Sequence, residues 1–133
     1  MNNVIIDSSV WIDFFTGRSP AAALTIDRHI SDLSAAVCGL ILSELLPMGR
    51  TQHERNEIEE YLRALTCLPD PPMLWENVIE LKKAFRLRGI SGIGIPDIIL
   101  CAVALHNNCP IISSDAHFEK IRHAAPELRI LST

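Results

Sequence analysis

The chain has 133 residues, 48% hydrophobic and 21% charged, which fits one globular domain over residues 1–133 and excludes a disordered polypeptide. Its net charge of −4 argues against diffuse attraction to nucleic acid, unless the acidity is concentrated where cations bind. No apolar run approaches the roughly 20 residues that span a bilayer, and the N-terminal stretch lacks a signal-peptide pattern, so a cytoplasmic protein without membrane association is expected.

The first element is set by Val4-Ile5-Ile6, three β-branched residues that run into Asp7. They read as a buried strand that delivers a carboxylate to the sheet edge, followed by a helix capped by Ser8 or Ser9 and continuing to Phe15. Ligands of open α/β sheets collect outside the carboxyl ends of the strands, so Asp7 points to metal or phosphate chemistry; its other reading is a helix cap. Thr16 to Pro20 is a loop. Ala21 to Leu33 reads as a helix with Ala22, Leu24, Ile26, Ile30 and Leu33 on its apolar face. Ala35 to Gly39 is a short buried strand. Proline is tolerated in a helix's first turn, so Pro47 predicts a helix that begins near Ser43, with Glu44 close to its N-terminus.

Glu54 to Leu65 is a charged amphipathic helix with Ile58, Tyr61, Leu62 and Leu65 on one face. Cys67-Leu68 is a brief extended piece. Met73 to Leu87 is the longest helical pattern, and its end carries Lys82, Lys83, Arg86 and, just beyond, Arg88. One reading of these cations is a solvated face that complements the helix C-terminus. Ile90 to Ile95 is a glycine-punctuated loop without the Lys-Ser/Thr ending of a phosphate cradle. Pro96 starts a helix from Asp97 to His106, apolar almost all round and therefore buried. Pro110 to Ser113 is a strand leading to Ser114-Asp115, and a helix from Phe118 to His123 and a strand from Leu128 to Leu131 complete the chain. Strands alternating with helices imply an α/β, three-layer sandwich around a mainly parallel sheet. Cys38, Cys67, Cys101 and Cys109 lie in apolar surroundings at irregular gaps, which predicts reduced core thiols rather than zinc ligands.

Four carboxylates need an explanation: Asp7, Glu44, Asp97 and Asp115. Each has apolar neighbours or sits at the edge of an element, and charged groups are seldom buried unless paired or metal-bound. In a parallel fold Asp7 and Asp115 share the carboxyl edge of the sheet, and Glu44 and Asp97 can face it. Gathered there, they raise one another's pKa values until a hard cation relieves the conflict, and oxygen-only donors favour Mg²⁺ or Mn²⁺. Individually, Asp97 and Asp115 can be read as helix caps and Glu44 as the partner of a distant arginine.

The order of motifs resembles a PIN domain, and more narrowly a VapC-type toxin ribonuclease. The residues that carry it are Asp7-Ser8-Ser9-Val10-Trp11-Ile12-Asp13, Leu42-Ser43-Glu44-Leu45, Ile95-Pro96-Asp97-Ile98-Ile99 and Ser113-Ser114-Asp115-Ala116-His117-Phe118. The resemblance implies a five-stranded parallel sheet and an acidic Mg²⁺ or Mn²⁺ site that cleaves RNA. Asp7, Glu44, Asp97 and Asp115 match the catalytic carboxylates, with Asp7, Asp97 and Asp115 as metal ligands and Ser113 as a supporting hydroxyl. It also implies a homodimer and an antitoxin partner, for which Trp11, Phe14 and Phe15 are candidate contacts. Lys82, Lys83, Arg86 and Arg88 then become candidate contacts to the RNA backbone. Asp13 matches a common acidic position but, six residues beyond Asp7 on a helix, is expected to be structural. Many members carry an acid two residues after the last aspartate, where this chain has His117, a softer and less charged ligand that puts a second metal position in question; packing or hydrogen bonding beside Phe118 is its expected role. Trp11, Phe14, Phe15 and Trp75 are otherwise expected in the core.

Other classes fit less well. A catalytically inactive PIN-like binding module has no need of all four carboxylates. A Mg²⁺-dependent phosphoacceptor domain wants a lysine where Ser114-Asp115 stands, and an aspartate-based phosphatase wants an acid at Ser9.

Overall fold

The centre of the sheet is β1 (Val4–Ile6), whose three residues are all buried. Successive strand side chains point to opposite faces, so complete burial means that both faces are covered. β2 (Ala35–Cys38) is buried throughout in the same way. With β3 (Thr66–Leu68), β4 (Ile111–Ile112) and β5 (Ile130–Leu131) they form a five-stranded sheet in the order β3-β2-β1-β4-β5. Every pairing is parallel. The computed structural model describes residues 2–133.

Ile5 stands opposite both Ala36 of β2 and Ile111 of β4. The chain proceeds from β1 outward to β2 and β3, then returns across β1 to β4 and β5. The strand order therefore reverses beside β1, and this leaves a crevice at the carboxyl ends of β1 and β4. The Asp7 amide donates to the Ile112 carbonyl at 2.9 Å, which fixes the first residue after β1 against the end of β4.

The helices are α1 (Ser8–Thr16), α2 (Pro20–Ser31), α3 (Gly39–Leu45), α4 (Gln52–Arg63), α5 (Leu74–Leu87), α6 (Ile95–His106) and α7 (Ala116–Ala124). The Ser19 hydroxyl caps α2 and the Thr51 hydroxyl caps α4, each accepting from an amide three residues on. α1 packs on α2 and α3, while α6 packs on α5 and touches α3. Among the described residues no helix is long and apolar enough to cross a membrane.

Several expectations change. α3 begins at Gly39, immediately after β2, and stops at Leu45. Pro47 thus lies beyond the helix rather than in its first turn, because it has no N–H to donate back to Ser43. Glu44 consequently sits in the last turn of α3, not near its start. On α2, Ala22 and Ile26 are buried but Leu24, two residues from each and so on the opposite face, is exposed. Leu33, in a turn with φ 56°, is exposed as well. Cys67 is exposed on the edge strand β3, whereas Cys38, Cys101 and Cys109 are buried. Trp75 is also exposed, projecting from the first turn of α5, whose buried side begins at Val78.

Candidate active site

Asp7 is a nearly buried carboxylate, 6% exposed. It occupies the residue before α1 but makes no side-chain cap bond, and neither Ser8 nor Ser9 caps the helix as expected. Instead, Asp7 Oδ2 accepts from Ser9 Oγ at 2.7 Å and from Ser113 Oγ at 3.0 Å. Two hydroxyls, one from the start of α1 and one from the end of β4, hold the charge in place. Ser113 Oγ in turn accepts from the Asp115 amide at 3.0 Å. Asp115 then caps α7, its Oδ1 accepting from the His117 amide at 2.8 Å. The cap reading of Asp115 therefore holds, while that of Asp7 does not.

Asp97 lies in the first turn of α6, just past the capping residue Gly94, where the positive end of the helix favours a carboxylate. Burial raises its pKa, the charges of Asp7 and Asp115 raise it further, and His117 works the other way. Burial also raises Glu44, with Asp7 and then Asp97 adding to it and a hydrogen bond from Ser8 opposing them. No arginine is among the groups that set the charge of Glu44, so its ion-pair reading is not supported. The fold therefore places Glu44 in the electric field of Asp7 and Asp97, and Asp97 in that of Asp7 and Asp115; Asp13 is not among the charges acting on either.

His117 does not pack into the core beside Phe118. It is 47% exposed, and its Nδ1 stands 3.5 Å from both Asp97 Oδ2 and Asp115 Oδ1. Among the described residues, no three His, Cys, Asp or Glu groups converge tightly enough to grip an ion as they stand. Mutual repulsion opposes closer approach. The donor set nonetheless fits a hard divalent cation: carboxylate oxygens at an open sheet edge, with Glu44 and Asp97 penalised for burial and like charge, are ligands of the Mg²⁺ and Mn²⁺ kind.

The basic cluster divides. Arg88 donates to Glu127 Oε1 at 2.7 Å and to the Ala124 carbonyl at 3.1 Å, which ties the end of α5 to the segment around the end of α7. Lys83 lies 3.4 Å from Glu80. Lys82 and Arg86 face the Ile90–Ile93 loop and Ile98 around a cavity of about 190 Å³, beside the first turns of α6.

On another surface, Phe14, Phe15, Met48 and Tyr61, rimmed by Arg18, Arg50, Glu54 and Glu57, line a groove of about 1020 Å³. Trp11 is fully buried and stacks against Phe15 with ring centres 6.0 Å apart, so it supports the aromatic cluster from within.

Sequence reasoning missed three contributors: Ser8, Ser9 and His117. A serine two residues past a strand-terminal aspartate is a local signal for holding its carboxylate, whereas the contact between His117 and Asp97 depends on how α6 and α7 meet.

A parallel α/β sandwich with carboxylates at the crevice beside its first strand defines the class, and the chain belongs to the PIN domain family, whose model matches residues 4–124. It is similar to Ribonuclease VapC11 of Mycobacterium tuberculosis, 26% identical over 121 residues that cover 89% of this chain and 90% of that protein. Ribonuclease VapC21 of the same organism is 31% identical over 88 residues, covering 65% of this chain and 64% of its own. Among solved structures, DNA-bound VapBC from Salmonella typhimurium matches with TM-score 0.79 and 14% identity over 99% of this chain and 98% of that one. VapBC2 from Rickettsia felis, bound to a promoter DNA fragment, matches with TM-score 0.78 and 13% identity over 98% of each chain. At these identities the structural likeness speaks for the fold.

Proposed function

We propose that this protein is a metal-dependent endoribonuclease that cleaves RNA phosphodiester bonds, the toxin of a toxin–antitoxin pair. The observation that carries the reading is the buried Asp7 carboxylate at the crevice beside β1, whose charge acts on both Glu44 and Asp97 while Asp115 acts on Asp97. The VapC ribonuclease relatives support it from sequence.

Asp7, Asp97 and Asp115 would hold Mg²⁺ or Mn²⁺, which supplies Lewis acidity toward the phosphate and acidifies water. The remaining work belongs to the side chains. Ser9 and Ser113 fix the Asp7 carboxylate through Oδ2, so its orientation is set before substrate arrives. Glu44, whose raised pKa marks a carboxylate with increased proton affinity, orients the attacking water and accepts its proton. Lys82 and Arg86, with Lys83, hold the RNA backbone outside the acidic centre, which reconciles RNA binding with the net charge of −4. Arg88 is assigned chiefly to structure, because Glu127 already engages it.

A cognate antitoxin fits the groove of Phe14, Phe15, Met48 and Tyr61, where an apolar segment would pack on the aromatic floor and its polar flanks would meet Arg18, Arg50, Glu54 and Glu57. Cytoplasmic location and a homodimer belong to the same reading.

The test is cleavage of a mixed structured RNA by the purified, partner-free protein in Mg²⁺, Mn²⁺ or EDTA, with Asp7→Asn and Asp97→Asn alongside. Metal-dependent cuts at a few sites, lost in both variants, are expected. No cutting together with no metal binding by calorimetry would replace the reading with an inactive binding module.

A further inference from the structure

We infer that His117 supplies a nitrogen donor to the divalent ion at Asp97 and Asp115, and that this tilts the site from Mg²⁺ toward Mn²⁺. The inference rests on the metal-dependent reading above and concerns a position where this chain departs from the acidic pattern of its family.

Three observations converge on the imidazole. First, α7 anchors itself in the core through the next residue, Phe118, which is 1% exposed, leaving His117 free to point elsewhere. Second, the bond from the His117 amide to Asp115 Oδ1, 2.8 Å long, pins its backbone at the rim of the carboxylate cluster. Third, one ring nitrogen, Nδ1, is equidistant at 3.5 Å from oxygens of two different carboxylates. That spacing is too long for a closed N–H···O hydrogen bond, which prefers about 2.7–3.2 Å. Octahedral ligands at about 2.1 Å from one ion stand about 3.0 Å apart, so the ring needs to close by only about 0.5 Å on each carboxylate to share a cation with them.

The chemistry then follows from donor type. Carboxylate oxygens suit Mg²⁺ and Mn²⁺ alike, whereas imidazole nitrogen favours transition ions and adds little for Mg²⁺. An aspartate in place of His117 would add a hard, charged donor and strengthen Mg²⁺ binding. His117 therefore sets metal preference, and it does so without adding another negative charge to a crowded site.

The test titrates wild-type, His117→Gln and His117→Asp proteins with MnCl₂ and MgCl₂ by calorimetry and records electron spin echo spectra of their Mn²⁺ forms. Nitrogen modulation from a directly bound imidazole is expected in the wild type and absent from His117→Gln with Mn²⁺ still bound. The ratio of Mn²⁺ to Mg²⁺ affinity should fall roughly tenfold in His117→Asp. Mn²⁺ bound to the wild type without nitrogen coupling, and with the same ratio in both variants, overturns the inference while leaving the metal site intact. Asp97→Asn binding Mn²⁺ as tightly as the wild type would instead place the ion elsewhere, and both the metal-site reading and this inference would fall together. Because His117 is half exposed, circular dichroism of the variants should match the wild type.

Discussion

Ser113→Ala is expected to destabilise the protein and to weaken catalysis through Asp7. The hydroxyl is 5% exposed, donates to Asp7 Oδ2 at 3.0 Å and accepts from the Asp115 amide at 3.0 Å. A hydrogen bond to a charged group contributes about 1.5–3 kcal/mol, and the Asp115 amide left without its acceptor adds a fraction of a further ~1 kcal/mol because water can partly replace it. The expected loss is about 2–3 kcal/mol, and for a chain of this size each kcal/mol lowers Tm by about 3–5 °C. Ser113→Thr keeps the hydroxyl and should stay within about 1 kcal/mol of the wild type. Urea unfolding followed by circular dichroism gives the free energies. The Asp7→Asn background supplies the decisive comparison, because there Ser113 meets a neutral amide. The cost of Ser113→Ala should shrink by about 1 kcal/mol in that background. A loss below about 0.5 kcal/mol in the wild type, or the same loss in both backgrounds, would refute the view that Ser113 holds a charged Asp7.

Asp97 and Glu44 have raised pKa values, so their charged forms are penalised in the folded state. In EDTA, Asp97→Asn should therefore melt higher than the wild type at neutral pH, and the difference should vanish as pH falls below the ordinary value of 3.8, where both states of the wild type are protonated. A difference that grows toward low pH has the wrong sign for this account. Lys82→Ala with Arg86→Ala should weaken RNA binding and flatten its salt dependence by roughly 0.7 in log–log slope per lost phosphate contact. An unchanged slope in filter binding removes these cations from the interface. An aromatic disulfide reagent should react quickly with Cys67 alone in the native protein, since Cys38, Cys101 and Cys109 are buried and burial pushes their thiols up, Cys109 to about 11. Rapid reaction at a second site would contradict the burial of the other three.

Features visible in the sequence were those fixed by neighbours along the chain. Val4-Ile5-Ile6 running into Asp7 reads as a buried strand ending in a charge, and Pro96 before Asp97 sets the start of α6 to within two residues. Pro47 misled because a proline is compatible with either a helix start or the stretch just past a helix end, and only the pairing of β2 with β1 fixes where the preceding strand stops. Exposure was the least legible property. Cys67 and Trp75 have apolar sequence neighbours, yet one lies on an edge strand and the other in the first turn of α5, positions that exist only once the layers have assembled. His117 failed for the same reason: its partner Asp97 is twenty positions away and belongs to a different helix.

The site itself is a product of tertiary structure in a strict sense. The bond between Ser113 and Asp7 joins residues 106 positions apart, and the carboxylates come from the end of one strand, the last turn of α3, the first turn of α6 and the cap of α7. None of these segments can assemble the acidic cluster alone, and the cluster opposes its own assembly because burial and like charges act against Glu44 and Asp97 together. The apolar sheet must therefore supply the free energy that holds them at the crevice. β1, buried at all three positions, paired on both sides and leading straight into Asp7, does so where the site begins. That explains why the most enclosed carboxylate, Asp7, follows directly from a fully enclosed strand. It also predicts the division of roles among its neighbours: hydroxyls of Ser9 and Ser113 satisfy Asp7, while Glu44 and Asp97 keep the net penalty of burial and like charge that a cation can relieve.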